Sequence, residues 1–339
     1  MSSSPLVTIA MRTFERPLLL RRAIDSVVAQ TFEDWELVIV NNGGDPAPVD
    51  VTVADCAAEL RGRVRVIHLP EGRRVGAAAD LAYRSGDGEL LALIDDDDTW
   101  EPEYLKRTVH HLTAAPDEVG GVTTRVRRAF ERIADDGTIE TLRIEDFNPN
   151  LEHVNFQSAF ISHPLASNAF LLRRSAYERV GGYDEGLRTG EDAFMILRLL
   201  SVIRIDVIRE ELATRHEREP DAASNRNTIA DKLLIRDGDA RYRDFFIEKN
   251  MREGDLAPSE VAAAISVVDR ENHARINEAL DHVRELRLLG GDIAHQEAID
   301  REFLEGYDDG FRALKFVMAP IVGLRSLGGR LTRRGAEGG

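Results

Sequence analysis

Four aspartates, Asp95-Asp96-Asp97-Asp98, directly follow the apolar run Leu90-Leu91-Ala92-Leu93-Ile94. Adjacent carboxylates repel one another strongly in a partly buried place unless a cation compensates them. Mg²⁺ or Mn²⁺ suits such a run, because it takes one or two carboxylates and completes its octahedron with water and phosphate oxygens. The plainer alternative is a solvated loop with a helix cap, since Asp98 precedes Thr99-Trp100-Glu101-Pro102 and a helix start. The position straight after a buried strand favours metal binding. A second acid pair, Glu191-Asp192, follows Gly190 and opens an amphipathic run to Leu200. At a helix N-terminus the dipole favours ionised carboxylates; here the alternative is simple capping. Arg12-Thr13, Asn41-Asn42-Gly43-Gly44 and Arg73-Arg74 each lie at or beyond the end of a strand-like run. Amides and arginines can read a base and phosphates, although Asn41-Asn42-Gly43 alone also reads as a turn. His216, between Arg215 and Arg218, is as readily solvated as ligating.

These residues need elements to bring them together. Strands are expected at Val7–Met11, Leu37–Val40, Val64–Leu69, Leu90–Ile94, Gly121–Val126, Ala169–Leu172 and Ile203–Ile208. Between them, Pro17–Gln30, Gly76–Arg84, Glu103–Leu112, Ser175–Val180 and Glu191–Leu200 read as helices. Asp135-Asp136-Gly137 between two strand-like runs suggests a hairpin. Alternating βα units imply a mostly parallel sheet covered by helices, with ligands at the carboxyl ends of its strands. In that architecture the polar groups after the first four strands share one crevice.

In order along the chain, VTIAMRTFERP, LLRRAIDSVVAQTFEDWELVIVNNGG, RRVGAAADLAYRSGDGELLALIDDDDTWEPEYL, NAFLLRRSAYERVGGYDEGL and GEDAFMILRLL follow one known pattern. The block from Gly88 through Leu105 is the most specific, followed by Gln30-Thr31-Phe32 leading into Trp35-Glu36-Leu37. The chain resembles the family 2 glycosyltransferases of the GT-A fold over about Leu6 to Leu200. The resemblance implies a Rossmann-like, mostly parallel sheet flanked by helices, a nucleoside-diphosphate-sugar donor and a divalent metal, Mg²⁺ or Mn²⁺. Asp95 and Asp97 match the family's Asp-x-Asp pair. Asp97 is then the direct metal ligand, with Asp95 a further candidate ligand, and Asp95 or Asp96 holds the ribose; the register is open by one residue. Arg12, Thr13 and Phe14 match the loop that touches the nucleoside. Asn42 stands where the family most often has an acid facing the base, which leaves the choice of base open. Arg74 matches an arginine on base or phosphates. Asp192 matches the catalytic base and Glu191 its neighbour, which contacts the acceptor or shapes the site; attack from the face opposite the leaving group then inverts the anomeric centre. His216 matches a segment that carries a metal- or diphosphate-binding His, and His163 receives low weight on the acceptor side.

The 339 residues allow two domains, and the expected division is 1–222 for the glycosyltransferase domain and 223–339 for a helical C-terminal extension. The extension is expected to serve the acceptor side, homo-oligomer formation or membrane-surface contact. Its segment ALKFVMAPIVGLRSLGGRLTRR has five basic residues and no acid, which suits an anionic membrane surface, but Pro320 and the glycines favour packing or assembly instead. A net charge of −16 excludes a protein that coats nucleic acid through phosphate contacts. The single Cys56 excludes an internal disulfide or a cysteine metal cage. With no signal peptide and no spanning stretch, the expected location is the cytoplasm, or peripherally the inner face of the cell membrane. The expected activity is transfer of a sugar to a glycan, lipid-linked or small-molecule acceptor. The competing classes are a metal-dependent nucleotidyltransferase or phosphatase and a non-catalytic assembly subunit.

Overall fold

A computed structural model describes residues 5–134, 136–156, 159, 165–184 and 190–218. All of these belong to the first of two units, Met1–Glu248 and Lys249–Gly339. The division expected at 222/223, the helical extension and His163 lie outside the described residues.

The first half alternates as the apolar pattern requires. β1 (Val7–Thr13), α1 (Pro17–Val28), β2 (Trp35–Asn42), α2 (Pro46–Asp55), α3 (Ala57–Leu60), β3 (Val64–Leu69), α4 (Val75–Ser85) and β4 (Leu90–Asp95) follow one another. β1 lies parallel between β2 and β4, and β3 runs parallel beside β2. Both faces of β1 are covered by helices, so all seven of its residues are buried. Pro17 at the first turn of α1 suits that position, since a proline there lacks only an N–H that would have no helical partner. Leu20, Ala23, Ile24 and Val27 bury one face of α1 against the sheet core.

The second half departs from a mostly parallel sheet. After β5 (Thr99–Trp100) and α5 (Tyr104–Ala114) comes β6 (Val119–Ile133), then β7 (Ile139–Asp146), β8 (Phe170–Arg173), α6 (Arg174–Arg179), α7 (Glu191–Leu200) and β9 (Arg204–Arg218). β8 runs antiparallel between β4 and β6. β7 pairs antiparallel with β6 through the Asp136-Gly137 turn, and β6 pairs in parallel with β9. The sheet order is β3-β2-β1-β4-β8-β6-β9-β5, with β7 attached to β6. β6 and β9 each run for 15 residues, so each reaches well past the central sheet. The far end of β9 returns antiparallel beside β5, immediately after the four aspartates.

Two local features set the acid turn in place. The Gln30 amide accepts from the Leu105 N–H at 2.9 Å and donates to the Glu101 carbonyl at 2.9 Å, so it caps the start of α5 from outside the helix. The Thr31 N–H donates to the Pro102 carbonyl. The Trp100 ring stacks on Tyr104 at 4.3 Å and its N–H reaches the Asn168 carbonyl at 2.7 Å. The Gln-Thr-Phe segment and the aspartate-tryptophan block therefore fold against each other.

Candidate active site

Asp95 is the last residue of β4, and the chain turns at once, with the Asp98 N–H donating to the Asp95 carbonyl at 3.1 Å. This turn lies inside the protein. Asp96 is fully buried, and Asp97 and Asp98 are 8% and 6% exposed. Buried carboxylates need partners, and each of the four has a different set.

The Arg12 guanidinium, from β1, grips Asp95 with two bonds, Nε to Oδ1 at 2.6 Å and Nη2 to Oδ2 at 3.1 Å. The same Nη2 lies 3.4 Å from Oδ2 of Asp192. Asp96 accepts from the Thr13 hydroxyl at 2.7 Å and pairs with Arg16 at 2.6 Å. Oδ2 of Asp97 pairs with Arg16 at 2.8 Å and with Arg218 at 2.6 Å. Asp98 accepts from the Asn168 amide at 2.8 Å and from the His216 backbone N–H at 3.1 Å.

These surroundings separate the acids by chemistry. Burial alone would raise the Asp97 carboxyl, but Arg16 and Arg218 outweigh it and hold Asp97 below the usual carboxylate range. Burial pushes Asp96 up to about 7 against the opposing pull of Arg16. Burial, then the neighbouring Asp97 and Asp95, push Asp98 well above its usual value. The turn therefore presents one firmly ionised carboxylate flanked by two that hold their protons more readily.

Glu191 and Asp192 open α7, and Asp192 lies beside the same guanidinium as Asp95. Oε2 of Glu191 accepts from the Gly76 N–H at 2.6 Å, so it caps the first turn of α4 from another helix. Burial is the largest influence on Glu191 and lifts it above its usual value despite that bond. Glu191 thus joins the N-terminal ends of α7 and α4. Asp192 accepts from the Tyr183 hydroxyl at 2.6 Å through Oδ1 and faces Arg12 through Oδ2.

The remaining expected residues fall in several places. Phe14 is half exposed just beyond Thr13. Arg74 is the residue preceding α4 and acts electrostatically on Glu191. Asn42 uses its amide as a staple, accepting from the Arg73 N–H at 2.7 Å and donating to the Arg73 carbonyl at 2.8 Å. One lone pair and one N–H of the amide lie beyond these two bonds. Asn41 holds the following turn by donating to the carbonyls of Gly44 and Asp45.

His216 lies on β9. Nδ1 meets Glu131 at 2.6 Å and Nε2 meets the Thr99 hydroxyl at 2.8 Å. Through these two contacts the ring joins β6 to the segment that follows the acid turn. Glu131, 1% exposed, also accepts two bonds from Arg22 at 2.8 and 2.9 Å. Arg22 donates in turn to the Asp97 carbonyl at 2.8 Å.

Arg16, Arg22, Glu131, Asn168 and Tyr183 are the residues that sequence reasoning missed. Their partners are 9 to 109 positions away, and none stands in a motif that announces the pairing. All but Glu131 do fall inside the matching segments, but that does not reveal which groups they meet.

Among the described residues no three His, Cys, Asp or Glu side chains converge as a ready metal cage. The donor set still fits a hard cation held in part by a diphosphate. Mg²⁺ and Mn²⁺ accept one or two protein carboxylates with phosphate and water oxygens, and Asp97 is ionised and oxygen-only.

A family model described as Glycosyl transferase family 2 matches residues 8–181. The chain belongs to that family. Succinoglycan biosynthesis protein ExoW of Rhizobium meliloti (strain 1021) is 35% identical to this family 2 member over 100 residues, 29% of this chain and 31% of that protein. The match therefore spans less than a third of that relative's length. S. aureus TarS 1-349 in complex with UDP-GlcNAc superposes with a TM-score of 0.51 at 15% identity, covering 70% of this chain and 66% of that one. The mannosyltransferase PcManGT from Pyrobaculum calidifontis, in complex with GDP-Man and Mn²⁺, superposes with a TM-score of 0.56 at 18% identity, covering 95% and 88%. At such identities the likeness concerns the fold, which is of the GT-A type. No helix among the described residues is long and apolar enough to cross a membrane.

Proposed function

We propose that this family 2 glycosyltransferase moves a sugar from a nucleoside diphosphate to an acceptor hydroxyl, with inversion at the anomeric carbon, in the assembly of a polysaccharide or related glycoconjugate. One observation carries the reading. A single buried guanidinium, Arg12, touches both the acid that ends β4 and the acid that opens α7. The acid at the end of β4 and the acid at the start of α7 therefore lie beside one guanidinium, which supports an in-line displacement between them. The relative named for succinoglycan biosynthesis supports the polysaccharide context, and the neighbours with UDP-GlcNAc and with GDP-Man support a nucleotide-sugar donor.

Asp97 and Asp95 would hold a divalent cation, which supplies positive charge to the diphosphate as it leaves. Thr13, Asp96 and Phe14 would line the nucleoside side, with Asn42 and Arg74 at the neighbouring loops. Arg16 and Arg218 keep Asp97 ionised and add fixed positive charge where the leaving group gathers negative charge. Asp192 takes the proton of the acceptor hydroxyl. The acceptor oxygen then bonds to the anomeric carbon as the bond from that carbon to the phosphate oxygen breaks, and the nucleoside diphosphate departs with the electron pair.

A panel of nucleotide sugars with candidate acceptors, read by mass spectrometry, tests the reading. Transfer should occur with one donor, stop on chelation of divalent ions, and return with Mg²⁺ or Mn²⁺. Asp97→Asn and Asp192→Asn should each abolish transfer while the fold survives. Full activity in either variant removes that residue from the assignment.

A further inference from the structure

Asp192 is held from both sides. Tyr183 donates to Oδ1 at 2.6 Å, and Arg12 reaches Oδ2 at 3.4 Å. The first of these partners is delivered by a small construction of its own. Gly181 and Gly182 take positive φ, +77° and +74°, and turn the chain back after α6. Arg198, two turns along α7 from Asp192, donates to the Gly182 carbonyl at 2.9 Å and also reaches the Val180 carbonyl. The helix that carries Asp192 thus also holds the turn that carries Tyr183. The Tyr183 ring lies against Gly76, where a Cβ would come within 2.6 Å of Cδ1, and edge-on to Tyr177. No side chain larger than hydrogen fits at 76 without moving this ring. Burial, and then the Asp192 carboxylate, push the Tyr183 phenol well above its usual value, so the hydroxyl keeps its proton and is the donor in this pair.

We propose that Tyr183 is a positioning residue for the transfer: with Arg12 it clamps the Asp192 carboxylate in the orientation from which it receives the acceptor proton. The inference rests on Asp192 being the base. A carboxylate with a third of its side chain open to water would otherwise rotate among several orientations, and only a fraction would face the acceptor. Two donors on opposite oxygens remove that freedom before any substrate arrives. Tyr183 itself touches neither reactant and acts only through Asp192.

Tyr183→Phe tests the clamp, because it removes one hydroxyl and leaves the ring packed on Gly76 and Tyr177. Expected is a fall in kcat of about tenfold, the weight of one hydrogen bond to a charged group. The donor KM should stay within about twofold, and the thermal shift given by a nucleoside diphosphate with Mn²⁺ should be unchanged. A wild-type kcat overturns the proposal. So does a loss that appears in the donor KM or in a lowered melting temperature, since either marks Tyr183 as ordinary packing. Asp192→Asn, measured alongside, separates the two layers. If that variant keeps full activity, the base assignment fails whatever Tyr183 does. If it is inactive while Tyr183→Phe is wild-type, only the clamp fails.

Discussion

Replacing Glu131 by alanine should destabilise the protein by about 2–4 kcal/mol and loosen the acid turn. Glu131 is 1% exposed and joins three elements: its own strand β6, Arg22 on α1 through two bonds, and His216 on β9 through one. Removing one partner of a buried ion pair costs about 3–5 kcal/mol when the other charge stays buried. The Arg22 side chain is 21% exposed, so water reaches it in part, which sets the lower figure. Arg22 also donates to the Asp97 carbonyl and His216 holds Thr99 and Asp98. The loss should therefore reach the acid turn. Urea unfolding of the wild type, Glu131→Ala, Arg22→Met and the double variant gives the stability and the coupling. A coupling of at least about 1 kcal/mol is expected for residues in one network. Unfolding within about 0.5 kcal/mol of wild type, or strict additivity, would refute the idea that this carboxylate braces the turn.

Three further outcomes follow from the same geometry. Burial raises the Glu131 carboxyl, but His216 and Arg22 outweigh it and hold the group below its usual value; its stabilisation is then full above the unfolded-state value and lost as pH falls through the folded one. Melting temperatures followed down from about pH 5 to about pH 3 should consequently drop less steeply in Glu131→Gln than in the wild type, and parallel curves would contradict the sign. Gly76→Ala should cost about 1–3 kcal/mol by overpacking, because its Cβ would meet the Tyr183 ring at 2.6 Å and Oε2 of Glu191 at 3.1 Å; a melt identical to wild type would show that the ring has room to move. Asn168→Ala removes a 2.8 Å bond to buried Asp98 and should cost about 1–3 kcal/mol, read by the same melts, whereas no change would mean that water replaces the amide.

The parallel half of the sheet was legible because β1, β2 and β4 carry mostly apolar runs that stop abruptly at polar residues. Leu90–Ile94 followed by four aspartates shows both the strand and its functional end. The 15-residue β6 and β9 were not legible beyond their first few residues. Their later portions, such as RVRRAFERI and EELATRHER, are dense with charge and lack clean alternation. The structure resolves this through pairing between the strands and their neighbours: Arg127 meets Glu101 and Glu211, while Arg128 lies near Glu217. Charges that compensate one another across a ladder look like a solvated loop when read along one chain. The reversed direction of β8 has no local signature at all. Within the site, the aspartates, Glu191 and Asp192 stood out because acids are conspicuous after a strand or before a helix. The basic and aromatic groups that orient them did not, since an arginine in α1 reads the same whether it faces water or a buried carboxylate. The partners of His216 were hidden for a related reason: a lone imidazole carries no mark of which groups will meet its two nitrogens.

Arg12 has a consequence that concerns the order of events. One guanidinium divides itself between Asp95 and Asp192, so a cation that engaged Asp95 in the proposed reaction would leave Arg12 to bear more fully on Asp192. On the proposed function, loading one substrate would then change the welcome offered to the other, by an equal factor in either direction. Titrating an acceptor with and without nucleoside diphosphate would reveal this crosstalk as a shared shift in the two dissociation constants.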